Sequence, residues 1–348
     1  MLSRVANSIY WMNRYIERVE NYARFVGVNF NLALDLPPDV DEQWEPLLIA
    51  TADHYLFYKY YEKPTKEDVI HFMTFDKRNP NSIISCLYEA RENARTIRET
   101  ISKEMWESIN TFYLSIRSTS PDNFRNMDTM QSYFTDIRKS CQLFHGVVDA
   151  SITRNEAWHF GRLGRHIERA DKCSRFLDVK YFTLLQDSGT SGSTLDLMLW
   201  TAVLKSVSAY NMYRQTHRAL TPMNIVAFLI LDKLFPRSIA YCVRQAELSL
   251  YAIAGSIPER GHTNQAERTL SRIRTELEFT DVEDVFKMGL HQYLDRFQTS
   301  NNEVDNAIFE MYFGLETGHS QSQSQSQSGG SQSQSQSSSG LFKGQWMN

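Results

Sequence analysis

The sequence predicts an all-α fold, a multi-helix bundle organised by two related long helices. Apolar residues recur at steps of three and four along most of the chain, the alternation expected of strands is nearly absent, and one charged helical segment occurs twice. Arg14, Ile16, Glu17, Arg18, Arg24, Phe25 and Val28 return 151 positions later as Arg165, Ile167, Glu168, Arg169, Arg175, Phe176 and Val179, and Glu20 is answered by Asp171.

The first copy carries an apolar seam of Leu2, Val5, Ile9, Met12, Ile16, Val19, Ala23, Val26, Phe30 and Ala33, one face of a long amphipathic helix that Pro37 and Pro38 end. Helices are then expected near 42–60, 65–75, 81–101, 103–117 and 122–150. Asn79-Pro80-Asn81-Ser82 and Ser120-Pro121-Asp122 break the chain and supply caps for the helices after them. The second copy has the seam Phe160, Leu163, Ile167, Ala170, Ser174, Leu177, Tyr181 and Leu184, and ends between Gln186 and Ser193. Further helices are expected near 195–218, 222–232, 237–254, 264–279 and 282–313, with Pro236 at a first-turn position where proline is tolerated. The repeat suggests a pseudo-two-fold arrangement of two helical halves. Residues 1–316 are thus read as one helical domain and 317–348 as a polar tether. From Ser320 to Ser339 the tether alternates Ser and Gln and has nothing to bury, and it ends in the aromatics Phe342 and Trp346, which suit a short docking motif.

On both repeated helices the charged residues lie opposite the seam. Arg14, Glu17, Arg18, Asn21 and Arg24 form one stripe, and Arg165, Glu168, Arg169, Lys172 and Arg175 form the other. Glu20 with Arg24 and Asp171 with Arg175 are favourable acid-before-base pairs four apart, whereas Arg14 and Arg18 repel at the same spacing. Two readings follow. The stripes are solvated faces or buried ion networks that pin the helices in register. Alternatively, they meet in a cleft where Arg14, Arg18, Arg24, Arg165, Arg169 and Arg175 bind phosphate or carboxylate, with Glu17 and Glu168 orienting the planar forks.

Composition narrows the classes. With 37 basic and 41 acidic residues, a net charge of −4 provides no general basic field, so nucleic acid is not an expected partner. The amino terminus lacks a secretory apolar core and the longest apolar run, Ile225 to Leu231, is too short to span a bilayer; a cytoplasmic protein with no membrane partner is expected. Cys86, Cys141, Cys173 and Cys242 show no zinc or disulfide spacing. Phosphate-loop, zinc-protease, nucleophile-elbow and dinucleotide signatures are missing, so no cofactor is expected. A weak di-metal alternative rests on Glu156 with His159 and Glu259 with His262, the latter in a loop flanked by Pro258 and Gly261. His145, His166 and His217 stand singly on helices. Arg91, Arg95 and Arg98, interleaved with Glu92 and Glu99, form another basic face, and Arg237 lies at a helix start where an anion could also sit.

Several stretches together carry a family resemblance: Leu2-Ser3-Arg4, Tyr10-Trp11-Met12 and Arg14 through Glu20; Asn79 to Ser82 with Ala90 through Arg95 and Arg98; Trp158-His159-Phe160, Leu163-Gly164-Arg165 and Glu168 through Asp171; and Leu231-Asp232 with Phe235 through Ser238. Over roughly residues 1 to 315 the chain resembles the alpha-E domain family of bacterial helical proteins, departing from its pattern at Asn13, where a glycine is usual. The resemblance implies a domain that works beside a circularly permuted ATP-grasp protein, and often a transglutaminase-like peptidase, in systems that form or cut amide bonds on peptides. An ATP-grasp partner would make an acyl-phosphate. The Arg/Glu cleft would then hold that group or an anionic peptide, with Glu17 and Glu168 orienting the arginines or accepting the amine proton. The other class is an enzyme in its own right, forming amide bonds or, less in keeping with the residues, oxidising through a di-metal centre.

Overall fold

Burial of the charged stripe decides the architecture. In a computed structural model that describes residues 1–35, 44–119, 127–187, 194–257 and 260–314, the first repeat lies on α1 (Ser3–Asp35) and the second on α8 (Glu156–Asp187). The seam residues Ile9, Met12, Ile16, Val19, Ala23 and Val26 are buried, and so, on the opposite side, are Arg14, Glu17, Arg18, Asn21 and Arg24. Helix α1 is therefore enclosed around its circumference, and its polar stripe is a second core face instead of a solvated one. The Ser/Gln tether, Ser120-Pro121-Asp122, Pro258 and Glu259 lie outside the described residues, as does the Val179 side chain. Among the described residues there is no strand, and no helix is long and apolar enough to cross a membrane.

Among the described helices, α1 and α8 pack most extensively against each other. The two helices run in the same direction, because Tyr10 meets Gly164, Arg18 meets Glu168 and Phe25 meets Phe176 in order along both. Phe25 and Phe176, equivalent in the repeat, stack with ring centroids 4.4 Å apart and planes 10° from parallel. Nearer the helix starts two glycines permit close approach. A Cβ on Gly164 would lie 2.5 Å from the Tyr10 carbonyl oxygen, and one on Gly161 would lie 2.6 Å from Asn13 Nδ2. Tyr10 is the repeat equivalent of Gly161, and Asn13 of Gly164. Each glycine thus seats the larger residue that stands, in the first copy, at the position of the other glycine, so the space for Asn13 is left by Gly161.

Three later helices pack in succession onto each long helix. Helices α5 (Ile83–Thr96), α6 (Lys103–Arg117) and α7 (Met127–Ser151) close back on α1, while α12 (Ile239–Ala254), α13 (Gln265–Phe279) and α15 (Leu290–Ile308) close back on α8. Helices α5 and α12 begin alike, as Pro80-Asn81-Ser82-Ile83 with Cys86 and as Pro236-Arg237-Ser238-Ile239 with Cys242. Ser82 and Ser238 are the N-caps, accepting from the amides of Ser85 and Tyr241, and the two thiols point at the carbonyls of Pro80 and Pro236. Pro236 consequently precedes the cap and lies outside the helix, which starts at Ile239 and not at 237.

Three expected helices are each broken in two at a left-handed residue. The 42–60 segment divides at Ala52 (φ 61°) into α2 (Glu45–Ala50) and α3 (His54–Tyr58). The 195–218 segment divides at Ser208 (φ 55°) into α9 (Thr194–Ser206) and α10 (Tyr210–Thr216), and the 282–313 segment at Gly289 (φ 94°) into α14 (Val282–Met288) and α15. Left-handed backbone is unfavourable for Ala and Ser, and contacts from α1 hold both sites. The Tyr22 hydroxyl donates to Asp53 at 2.6 Å, and Arg24 donates to the Ser208 hydroxyl. Helices α4 (Lys66–Thr74) and α11 (Pro222–Leu231) complete the set.

Gly164→Ala should cost about 1–3 kcal/mol in urea unfolding, because backbone of α1 occupies the space its methyl would need. Gly146→Ala on α7, where a Cβ meets nothing within 4 Å, should instead gain about 0.5–1 kcal/mol from helix propensity.

Candidate functional site

Between α1 and α8 the two Glu-Arg motifs grip each other. Glu168 of α8 is completely buried; it accepts from Arg18 Nε at 2.7 Å and Nη2 at 3.1 Å, and from Arg14 Nε at 2.9 Å. Glu17 of α1, equally buried, accepts from Arg169 Nε at 2.8 Å and Nη2 at 2.6 Å, and from Arg237 at 3.0 Å. Each carboxylate is held by the arginine of the other copy in a two-pronged geometry that an arginine fork matches and a lysine does not.

Neighbouring charges extend both grips. Around Glu17, the carboxylate of Glu20 is shared by Arg24 and Arg237. Around Glu168, Arg14 reaches Asp305 on α15, Lys172 bridges to Asp171, and Arg175 bonds Asp171 at 2.9 Å. Arg18 also donates to Asn81 at 2.7 Å, and Asn81 in turn donates to Asp53, so the start of α5 is tied to α1. Among the described residues, basic side chains outnumber carboxylates by one in the ion pairs of each network.

Burial alone would push these carboxyls up. The guanidiniums outweigh it: Arg169 and Arg237 hold Glu17 well below the carboxylate range, Arg237 and Arg24 hold Glu20 down, and Arg18, Lys172 and Arg14 do the same to Glu168. The thiols of Cys86 and Cys242, beside the networks, are pushed up to about 12 by burial and are poor nucleophiles.

Of the eight residues singled out in the sequence, Arg14, Glu17, Arg18, Arg24, Glu168, Arg169 and Arg175 are engaged in these pairs. The like-charge pair Arg14 and Arg18 is reconciled by their common acceptor Glu168. Arg165 alone of the eight forms no hydrogen bond or ion pair among the described residues, and its Nε is buried without an acceptor. Arg237, noted in the sequence as a possible anion site at a helix start, is instead taken by Glu17 and Glu20, and Asp305 joins the networks without any repeat signal of its own. Arg91 and Arg95 pair with Glu92; Arg91 also donates to Asn110 of α6 at 2.8 Å, while Arg95 is exposed.

Among the described residues, the group disposed to hold a metal is Glu17, Glu20 and His145, whose ligand-type atoms lie within 4.8 Å of one another. His145 Nε2 is 3.5 Å from Glu17 and 3.7 Å from Glu20. Both carboxylates are already held by Arg24, Arg169 and Arg237, so a divalent cation would enter beside three guanidiniums at a heavy electrostatic cost. Glu156, from the sequence-level metal pairing, instead accepts from the Met1 amino group at 2.8 Å, and Glu259 lies outside the described residues.

The profile of the Alpha-E family, described as "a predicted alpha-helical domain with a conserved ER motif", matches residues 1–313. An uncharacterized protein of Mycobacterium bovis and one of Mycobacterium tuberculosis are each 21% identical over 311 residues, covering 84% of this chain and 34% of the relative. The chain thus spans about a third of the length of these curated relatives. No solved structure matches it.

Glu168→Ala leaves Arg14, Arg18 and Lys172 buried around a missing carboxylate and should cost about 3–5 kcal/mol in denaturant unfolding. Acid sensitivity follows from the lowered carboxyls. Ordinary glutamates in the unfolded chain protonate near pH 4.3, so the stabilisation from Glu17, Glu20 and Glu168 should be complete above about pH 5 and lost as the pH falls further. Urea midpoints between pH 3 and 6 should fall more steeply for the parent chain than for Glu168→Gln; equal slopes would remove Glu168 from the acid transition.

Proposed function

Because the chain belongs to the Alpha-E family, we propose that it is a helical accessory subunit of an ATP-grasp carboxylate-amine ligase that builds or modifies peptides. The reciprocal engagement of Glu17 with Arg169 and of Glu168 with Arg18 carries this reading. Charges that occupy one another are poorly suited to turnover but well suited to holding two long helices in a fixed register, as a docking frame requires. The lengths of the mycobacterial relatives support it, since the matching region there is about a third of a longer chain, as befits a module that works joined to others. The same frame would seat a transglutaminase-like peptidase where one takes part.

In this reading Arg14, Arg18 and Arg169 act through the frame. An acyl-phosphate or anionic peptide that sought their forks would have to displace buried carboxylates, so the substrate is left to the ligase and to whatever cationic surface remains unpaired.

Affinity purification of the full chain from its native cells, with mass spectrometry of stoichiometric companions, tests the proposal. An ATP-grasp protein is the expected companion. A chain that emerges alone and turns over a peptide by itself overturns the accessory role in favour of an independent enzyme.

A further inference from the structure

The repeat makes Arg165 conspicuous. Its equivalent, Arg14, is satisfied by Glu168, Asp305 and the Tyr10 hydroxyl. Arg165 has none of these: it forms no ion pair or hydrogen bond among the described residues, and its buried Nε lacks an acceptor. The carboxylate that corresponds to Glu168 is Glu17, and Arg169 and Arg237 have taken it.

The surroundings of Arg165 are cationic. Arg162, one turn earlier, donates to Gln245 and lies over the Trp158 ring at 5.1 Å, with Arg154 over the same ring at 5.0 Å. Arg169 lies one turn later. His166 is buried with Nδ1 unpartnered. Burial and the neighbouring arginines push His166 well below its ordinary range, so it is neutral, and they lower Arg165 as well. The acids within reach are Glu17, already bound, and Asp149, which is exposed on α7. Trp158, Arg162, Arg165 and Arg169 are only partly buried, so this edge of α8 is open to a ligand while the Arg165 Nε faces inward.

A guanidinium whose Nε is buried without an acceptor, that neighbouring arginines repel and that forms no ion pair among the described residues destabilises the empty fold. We propose that Arg165, with Arg162 beside it, forms an oxyanion-binding site on the open edge of α8 that takes the phosphate or carboxylate group of a ligand. The site goes beyond the accessory role and does not depend on it, because its test needs no ligase. Its chemistry is that of a bidentate fork completed from outside, where Asp305 and Glu168 complete Arg14 from within.

The test uses the full chain, with inorganic phosphate in one arm and, in the other, a short peptide with a free C-terminal carboxylate compared with its amide. Calorimetric titration and thermal unfolding are read for the parent chain, Arg165→Gln, Arg162→Gln and, as a control at an exposed position of α5, Arg95→Gln. Without anion, Arg165→Gln should melt about 2 °C or more above the parent, because an uncompensated buried charge is gone. With anion, the parent and Arg95→Gln should rise in melting temperature, Arg162→Gln should bind about tenfold more weakly, and Arg165→Gln should not respond. Binding of phosphate alone assigns a phosphoryl ligand, and binding of the free peptide but not its amide assigns a carboxylate. The proposal is overturned if Arg165→Gln melts below the parent while folding normally, if it binds either anion as the parent does, or if neither anion binds at tens of millimolar.

Discussion

Two glutamates that no water reaches govern this molecule. Glu17 and Glu168 are fully enclosed, and a buried carboxylate is tolerated only where cations and hydrogen-bond donors surround it. The donors come chiefly from the partner helix, so α1 and α8 must lie side by side, in the same direction and in a single register. A shift of one residue along either helix would carry Arg18 away from Glu168 and Arg169 away from Glu17 together. Buried ion pairs contribute little net stability compared with apolar packing, yet a mismatched one is expensive, and that asymmetry makes them effective at excluding wrong registers.

Other features answer to this register. Gly161 and Gly164 let the helix axes approach, and Phe25 stacks on Phe176 where the approach continues. The polar stripe of α1 also reaches outward: Tyr22 and Arg24 hold the chain at Asp53 and Ser208, beside the breaks in two later helices, and Arg18 fixes Asn81 at the start of α5. One helix thus orders distant segments through side chains that a helical wheel would assign to solvent.

Divergence between the copies is as informative as their likeness. At the crossing, one copy kept bulk where the other kept glycine. In the networks, Arg14 found Asp305 while Arg165 found no acid. A symmetric pair needs nothing from outside; the asymmetric one leaves a cation whose counter-charge the fold does not supply.

The helical class, the two Glu-Arg helices and the pairs Glu20 with Arg24 and Asp171 with Arg175 were legible in the amino-acid order, because period and i to i+4 spacing are local properties of a helix. That order did not tell a solvated stripe from a buried one, since amphipathic periodicity records that two faces differ and not what covers the polar one. The breaks at Ala52 and Ser208 were equally illegible: neither residue favours left-handed backbone, and the bonds that hold each site come from α1, far away in the chain. Which arginine meets which glutamate was fixed by the packing of the helices. That choice depends on helix direction and register, which are fixed by contacts between residues roughly 150 positions apart and leave no trace in either segment alone.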